Sequence, residues 1–205
     1  FSGGYLGVDV FIVISGYLIT SFIFNRLKIR KFNLKEFLIR RAKRLLPTFF
    51  VVLFLCSVLA FFIFLPTELI KFSKSVISAS FLSSNFFFWL YSGYWDESNT
   101  NPLLHTWSLS LEWQFYFFFS FLSILIWSFA KRKVSKLTYL IFFIIFLISF
   151  ILAIIFLDRS MTFFLLPFRI YEFFIGTFVY FIIDKKNLTI DKNKNILSIF
   201  AILLI

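Results

Sequence analysis

Asn101-Pro102-Leu103-Leu104-His105-Thr106-Trp107-Ser108-Leu109-Ser110-Leu111-Glu112-Trp113-Gln114-Phe115-Tyr116 leads straight into an apolar run that continues to Ala130. About 20 predominantly apolar residues cross a ~30 Å hydrocarbon core. The run from Trp107 to Ala130 therefore reads as a membrane-spanning helix with a polar mouth. That mouth holds the only histidine of the chain, together with serines, a glutamate and a glutamine. If the helix begins at residue 105, then His105, Ser108 and Glu112 stand at i, i+3 and i+7 and share one face. Lipid satisfies none of these groups, so the stripe faces protein or a wet cavity. Ionisable side chains in such a setting are costly and mark a functional site.

The same logic extends along the chain. Hydrophobic residues make up 60% of the sequence, above the roughly 45–50% of a soluble domain. Further spanning runs lie at about 5–24, 45–64, 137–157 and 162–183, and a partial one begins near Ile196. The expected fold is an all-α, polytopic transmembrane helix bundle. It has about five spans plus a partial one, and one interfacial or re-entrant segment within the mixed stretch 65–106. That stretch contains Pro66, six serines between 73 and 84, and the polar loop Asp96–Asn101.

Charge chooses the topology. If residues 71–90 do not cross, the basic blocks 26–44, 131–136 and 185–194 fall on one side and carry 17 of the 21 Lys and Arg. The positive-inside rule favours this arrangement and places those blocks in the cytoplasm. Gly3, Gly4, Asp96 and His105 then lie toward the outside. The net charge of +11 is thus a matter of topology, not of nucleic-acid binding. Cys56 is the only cysteine, so no intrachain disulfide forms. The 36 phenylalanines face lipid or pack helices and carry no functional message. The sequence opens without an initiator Met and stops inside an apolar segment. It is therefore expected to be one incomplete membrane domain over 1–205, an internal fragment that is inactive by itself.

Three further blocks carry polar groups. The first is Gly3-Gly4-Tyr5-Leu6-Gly7-Val8-Asp9-Val10-Phe11 with Ser15-Gly16-Tyr17-Leu18-Ile19-Thr20. Gly3 and Gly7 make a G-x-x-x-G pair suited to close helix approach. Asp9 suits a helix cap and an active-site carboxylate equally. Ser15-Gly16 reads as a packing notch before it reads as a nucleophile, since no partner base is evident. The second is Arg40-Arg41-Ala42-Lys43-Arg44-Leu45-Leu46-Pro47. Guanidinium groups bind phosphates by paired hydrogen bonds, which suits a nucleotide or coenzyme A; by spacing alone, an anchor on anionic lipid is the stronger reading. The third places Arg169 and Glu172 at i, i+3, where an ion pair lowers the cost of burial. Glu112 is expected to meet a group from another helix, with Arg169 one candidate. One histidine and dispersed carboxylates make no metal site.

These blocks, with Leu104-His105-Thr106-Trp107-Ser108-Leu109-Ser110-Leu111-Glu112-x-Gln114-Phe115-Tyr116 and Arg169-x-x-Glu172-x-x-x-Gly176, resemble the acyltransferase-3 family over nearly the whole chain and in order. The family comprises integral-membrane O-acyltransferases that often acetylate lipopolysaccharide O-antigen, peptidoglycan or other surface glycans. The resemblance implies a multi-pass domain of about ten spans in the bacterial inner membrane, using acetyl-CoA from the cytoplasm. It turns Arg40, Arg41 and Arg44 into a CoA-phosphate site. It makes Asp9, His105, Ser108, Glu112, Gln114, Tyr116, Arg169 and Glu172 candidates for catalytic or structural-core roles. It also implies a catalytic histidine upstream of the Gly-Gly motif, a position this sequence does not include. Position 113 is usually a second glutamate, and here it is Trp113. Relatives with a similar Asn101–His105 loop often add an extracytoplasmic hydrolase-like domain. The expected partners are acyl-CoA, a cell-surface glycan or lipid-linked saccharide, and membrane lipid, with no metal and no nucleic acid. A non-enzymatic transporter or flippase of a lipid-linked sugar is the alternative, because Asp9, Glu112, Arg169 and Glu172 fit a polar pathway equally well.

Overall fold

The computed structural model describes residues 6–91, 101–130, 134–156 and 158–185. All regular structure among them is helical: α1 (Leu6–Lys28), α2 (Leu34–Ile63), α3 (Pro66–Ser80), α4 (Ser84–Tyr91), α5 (Thr106–Phe129), α6 (Lys136–Ile155), α7 (Arg159–Phe164), a 3₁₀ turn (Leu166–Phe168) and α8 (Ile170–Lys185). Four helices are long and apolar enough to cross a membrane: α1, α2, α5 and α6. The loop residues 96–100, Gly3, Gly4 and the partial helix expected from residue 196 lie outside the described residues, as do residues 131–133 and 186–194 of the basic blocks.

The elements group into two units. In the first, α1 and α8 pack together with most of α6 and the last turns of α5. The α1–α8 contact is made by bare backbone. A Cβ built on Gly16 would lie 2.0 Å from the Phe173 carbonyl oxygen, and one on Gly176 would lie 2.0 Å from the Val13 carbonyl oxygen. One turn further along, the Thr20 and Thr177 hydroxyls meet at 2.9 Å, both buried. In lipid no hydrophobic force drives helices together, so close approach and buried hydrogen bonds must hold them. Gly16 is therefore the packing notch expected of Ser15-Gly16. Of the Gly3/Gly7 pair, Gly7 has nothing within 4 Å of its built Cβ, and Gly3 lies outside the described residues. Beyond the notch an aromatic cluster forms, with Phe24 edge-on to Phe181 at 5.0 Å and to Phe142 and Trp127 at 6.2 Å each. Tyr180 donates to Asn25, and Lys28 pairs with Asp184, at one end of this packing.

The second unit comprises α2, α3, α4, α7 and the first part of α5. The helix expected at 45–64 starts eleven residues earlier, at Leu34. Asn33 caps it by accepting from the Glu36 amide, and charged residues weaken a hydropathy signal without breaking a helix. Pro47 lies inside it. Much of the face of α2 is bare, including Phe54, Phe61 and Phe62 at 68–79% exposure, as suits a lipid-facing surface. The mixed region forms α3 and α4, fifteen and eight residues long, neither of spanning length. Between them Leu82 adopts φ 53°, a left-handed conformation that ends the helix. Five of the serines there return hydrogen bonds to carbonyls three to five residues back, which satisfies them locally.

The span expected at 162–183 is broken. α7 ends at Phe164, a 3₁₀ turn follows, and α8 begins at Ile170 with 16 described residues. Pro167 has no N–H to donate and pushes the preceding residue away from the α region. Asp158 caps α7 by accepting from the Ser160 and Met161 amides.

Candidate functional site

Two polar clusters emerge, one in each unit. In the first unit, Arg169 sits in the turn that opens α8. Its Nη1 donates to Asp9 Oδ1 at 2.6 Å and to Glu172 Oε1 at 2.7 Å. Arg169 and Glu172 are almost fully buried, while the Asp9 side chain is one-third exposed. The i, i+3 pair read from the sequence thus forms, and it gains a third member from α1. Asp9 lies in the first turn of α1, yet its carboxylate holds Arg169. The amide of Tyr171, at the start of α8, donates to Ser149 of α6, which satisfies one of the donors a helix start leaves open.

In the second unit, Glu112 and Tyr116 stand one turn apart on α5, and the Tyr116 hydroxyl donates to Glu112 Oε1. Both are buried. The ring of Tyr116 is then framed on several sides. Phe37 of α2 meets it edge-on at 5.9 Å and Trp113 at 5.7 Å. The Arg41 guanidinium lies 5.4 Å from its centroid and 5.6 Å from that of Phe37. A cation over aromatic faces is attracted by the ring quadrupole. Because α2 is helical from Leu34, the arginine block belongs to the same rigid element as Phe37, and Arg41, one turn on from Phe37, is carried to the phenol.

The arginine block is divided in its roles. Arg40 pairs with Glu36 at 2.7 Å on the exposed side of α2, and Arg44 is exposed. Arg41 is placed over the Tyr116 ring.

The mouth of α5 differs in part from its reading. The helix begins at Thr106, and His105 is exposed. The Ser108 hydroxyl donates to the His105 carbonyl, not to its ring. From His105 to Glu112 the stripe passes from solvent into the interior. Gln114 points to Asn85 of α4: Gln114 Nε2 donates to Asn85 Oδ1 at 2.9 Å. Asn85 is fully buried, and its Nδ2 donates to the Phe164 carbonyl of α7 at 3.2 Å. A carbonyl only accepts, so this bond fixes which end of the Asn85 amide is which. Next to it the Ser84 and Ser110 hydroxyls meet at 2.8 Å. Asn85 and Phe37 were not singled out in the sequence. The signal for Asn85 was there: one amide opening the run Phe86-Phe87-Phe88. Among the described residues, no three His, Cys, Asp or Glu side chains come together as metal ligands.

Comparison with known proteins adds the following. A family model described as an acyltransferase domain matches residues 2–205. An uncharacterised protein of Haemophilus influenzae is 36% identical over 206 residues, covering 97% of this chain and 84% of that protein. O-acetyltransferase OatA of Staphylococcus aureus is 35% identical over 202 residues, covering 95% of this chain and 33% of OatA. The chain thus spans about a third of the length of the OatA proteins it matches. No solved structure matches it.

Proposed function

The chain belongs to the acyltransferase-3 family, and from that premise we propose that it is the membrane domain of an O-acyltransferase moving an acetyl group from cytoplasmic acyl-CoA to a hydroxyl of a cell-surface glycan or lipid-linked saccharide. The observation that carries this reading is the placement of Arg41 on the ring of Tyr116, whose hydroxyl is bonded to Glu112. It joins the arginine block to the polar motif of α5. Tyr116 lies near the middle of α5, about 20 Å of helix from its Phe129 end. An arginine that served only to anchor the chain on headgroups would have no reason to sit against a buried phenol.

In this reading Arg40 and Arg44, exposed on α2, take phosphates of CoA, a task suited to guanidinium forks. Arg41 holds the donor's inner end against Tyr116. Glu112, oriented by the Tyr116 hydroxyl, orients the acceptor hydroxyl, and Gln114 is held in place by Asn85. Asp9, Arg169 and Glu172 hold the base of α8 against α1. The domain is a multi-pass protein of the bacterial plasma membrane. The transporter reading rested on intramembrane charge, and Arg169 is held by both Asp9 and Glu172 across α1 and α8, which favours a structural role for those three.

The test is acetyl transfer from radiolabelled acetyl-CoA by the purified full-length protein. We expect transfer to an acceptor saccharide in the wild type and its loss in Arg40→Ala/Arg44→Ala, with KM for acetyl-CoA rising first in the single variants. Unchanged transfer in the double variant would remove CoA from the arginine block. Sugar transport without any acyl transfer would install the alternative.

A further inference from the structure

Trp113 follows Glu112 and lies three residues before Tyr116, so its side chain and that of Tyr116 are neighbours on the surface of α5. The two rings meet edge-on at 5.7 Å. The indole Nε1 is buried and has no hydrogen-bond partner. An indole nitrogen only donates, and a buried donor left unmet is destabilising. A phenylalanine would pack the same ring face without that cost. Tyr116 has two other polar neighbours: Glu112, whose carboxylate is already engaged by the phenol hydroxyl, and Arg41, which is also a pure donor. The phenol ring thus has a cation beside it and packs against an indole whose N–H is unmet. What completes such a place is an oxygen acceptor, neutral or carrying partial negative charge. The arginine beside it comes from the block that the proposed reading gives to acyl-CoA.

We infer that the Trp113 Nε1–H is a binding donor for a carbonyl oxygen of the acyl donor, either the thioester carbonyl or a pantetheine amide. This inference rests on the acyl-CoA reading. The same carbonyl chemistry exists in the acetamido group of an amino sugar, so the experiment separates the two sources.

The full-length protein is labelled with 5-fluorotryptophan, and the Trp113 resonance is assigned by its loss in Trp113→Phe. If Trp113→Phe does not fold, single Phe variants at every other tryptophan of the full-length protein assign it by elimination. The expected result is a shift of that resonance on titration with acetyl-CoA and none with the acceptor saccharide. Trp113→Phe raises KM for acetyl-CoA about tenfold, equivalent to about 1.4 kcal/mol, and leaves kcat within about twofold. A shift with saccharide alone overturns the donor assignment. So does no shift while labelled acetyl-CoA is seen to bind. If the wild type binds no acetyl-CoA at all, the acyl-CoA reading itself falls, and the Trp113 assignment falls with it.

Discussion

Arg41, Tyr116 and Glu112 come from two helices and form one chain of contacts: guanidinium on ring, hydroxyl to carboxylate. Each link is open to its own substitution. Tyr116→Phe keeps the ring under Arg41 and removes the bond to Glu112. A hydrogen bond to a charged group is worth about 1.5–3 kcal/mol, so the variant is expected to lose stability in that range and to cut acetyl transfer at least tenfold, measured as melting in detergent and as turnover. Arg41→Lys keeps charge and loses the planar group that stacks. It is expected to raise KM for acetyl-CoA by about 2–30-fold, since cation–π contacts run about 0.5–2 kcal/mol. Asn85→Asp replaces the Nδ2 donor to the Phe164 carbonyl with an acceptor. Two acceptors then face each other in a fully buried place, and cleavage within the α7 region by added protease is expected to speed up. Of these residues, Glu112, Gln114 and Tyr116 could be read from the motif, because polar side chains on an apolar run stand out. Asn85 was marked in the sequence only as one amide opening a phenylalanine run, and its tertiary contacts to Gln114 and Phe164 show what it holds.

At the scale of elements, the α1–α8 notch makes the sharpest prediction. Gly16→Ala or Gly176→Ala drives a methyl into a backbone carbonyl of the facing helix. Overpacking usually costs about 1–3 kcal/mol, and a rigid backbone cannot step aside, so the loss is expected at or above the top of that range. Gly7→Ala, with open space around it, is expected to leave melting unchanged, and the contrast between the three variants in one detergent assay is the check. The long helices were readable because hydropathy sums over many residues: the expected runs at 5–24, 107–130 and 137–157 lie within about four residues of α1, α5 and α6. The same averaging hid Pro167, a single residue in an apolar stretch that ends α7 and separates it from α8. It also hid the start of α2, since Lys35, Arg40, Arg41, Lys43 and Arg44 lower hydropathy while remaining good helix formers. The earlier start puts Phe37 and Arg41 on one helix, so that both reach the Tyr116 ring.

For the molecule as a whole, the Asp9–Arg169–Glu172 cluster ties α1 to the base of α8 across a long stretch of sequence. Removing one partner from a buried charge cluster leaves the others uncompensated, which costs about 3–5 kcal/mol. Arg169→Met is expected to fall in that range by thermal melting. The triple change Asp9→Asn, Arg169→Met and Glu172→Gln is expected to recover most of the loss, because no charge is then stranded. The i, i+3 pair was visible in the sequence, but its third member was not, since nothing local relates position 9 to position 169. That separation has a consequence for how the protein is made. Asp9 emerges from the ribosome 160 residues before Arg169, and at about 5–20 residues per second the gap lasts roughly 8–32 s. Throughout that interval α1 carries an unneutralised carboxylate and a notch with no partner. α1 thus waits for α8 before its notch and its carboxylate are matched, and a nascent chain stalled before residue 169 presents the insertion machinery with an orphan to be held or destroyed.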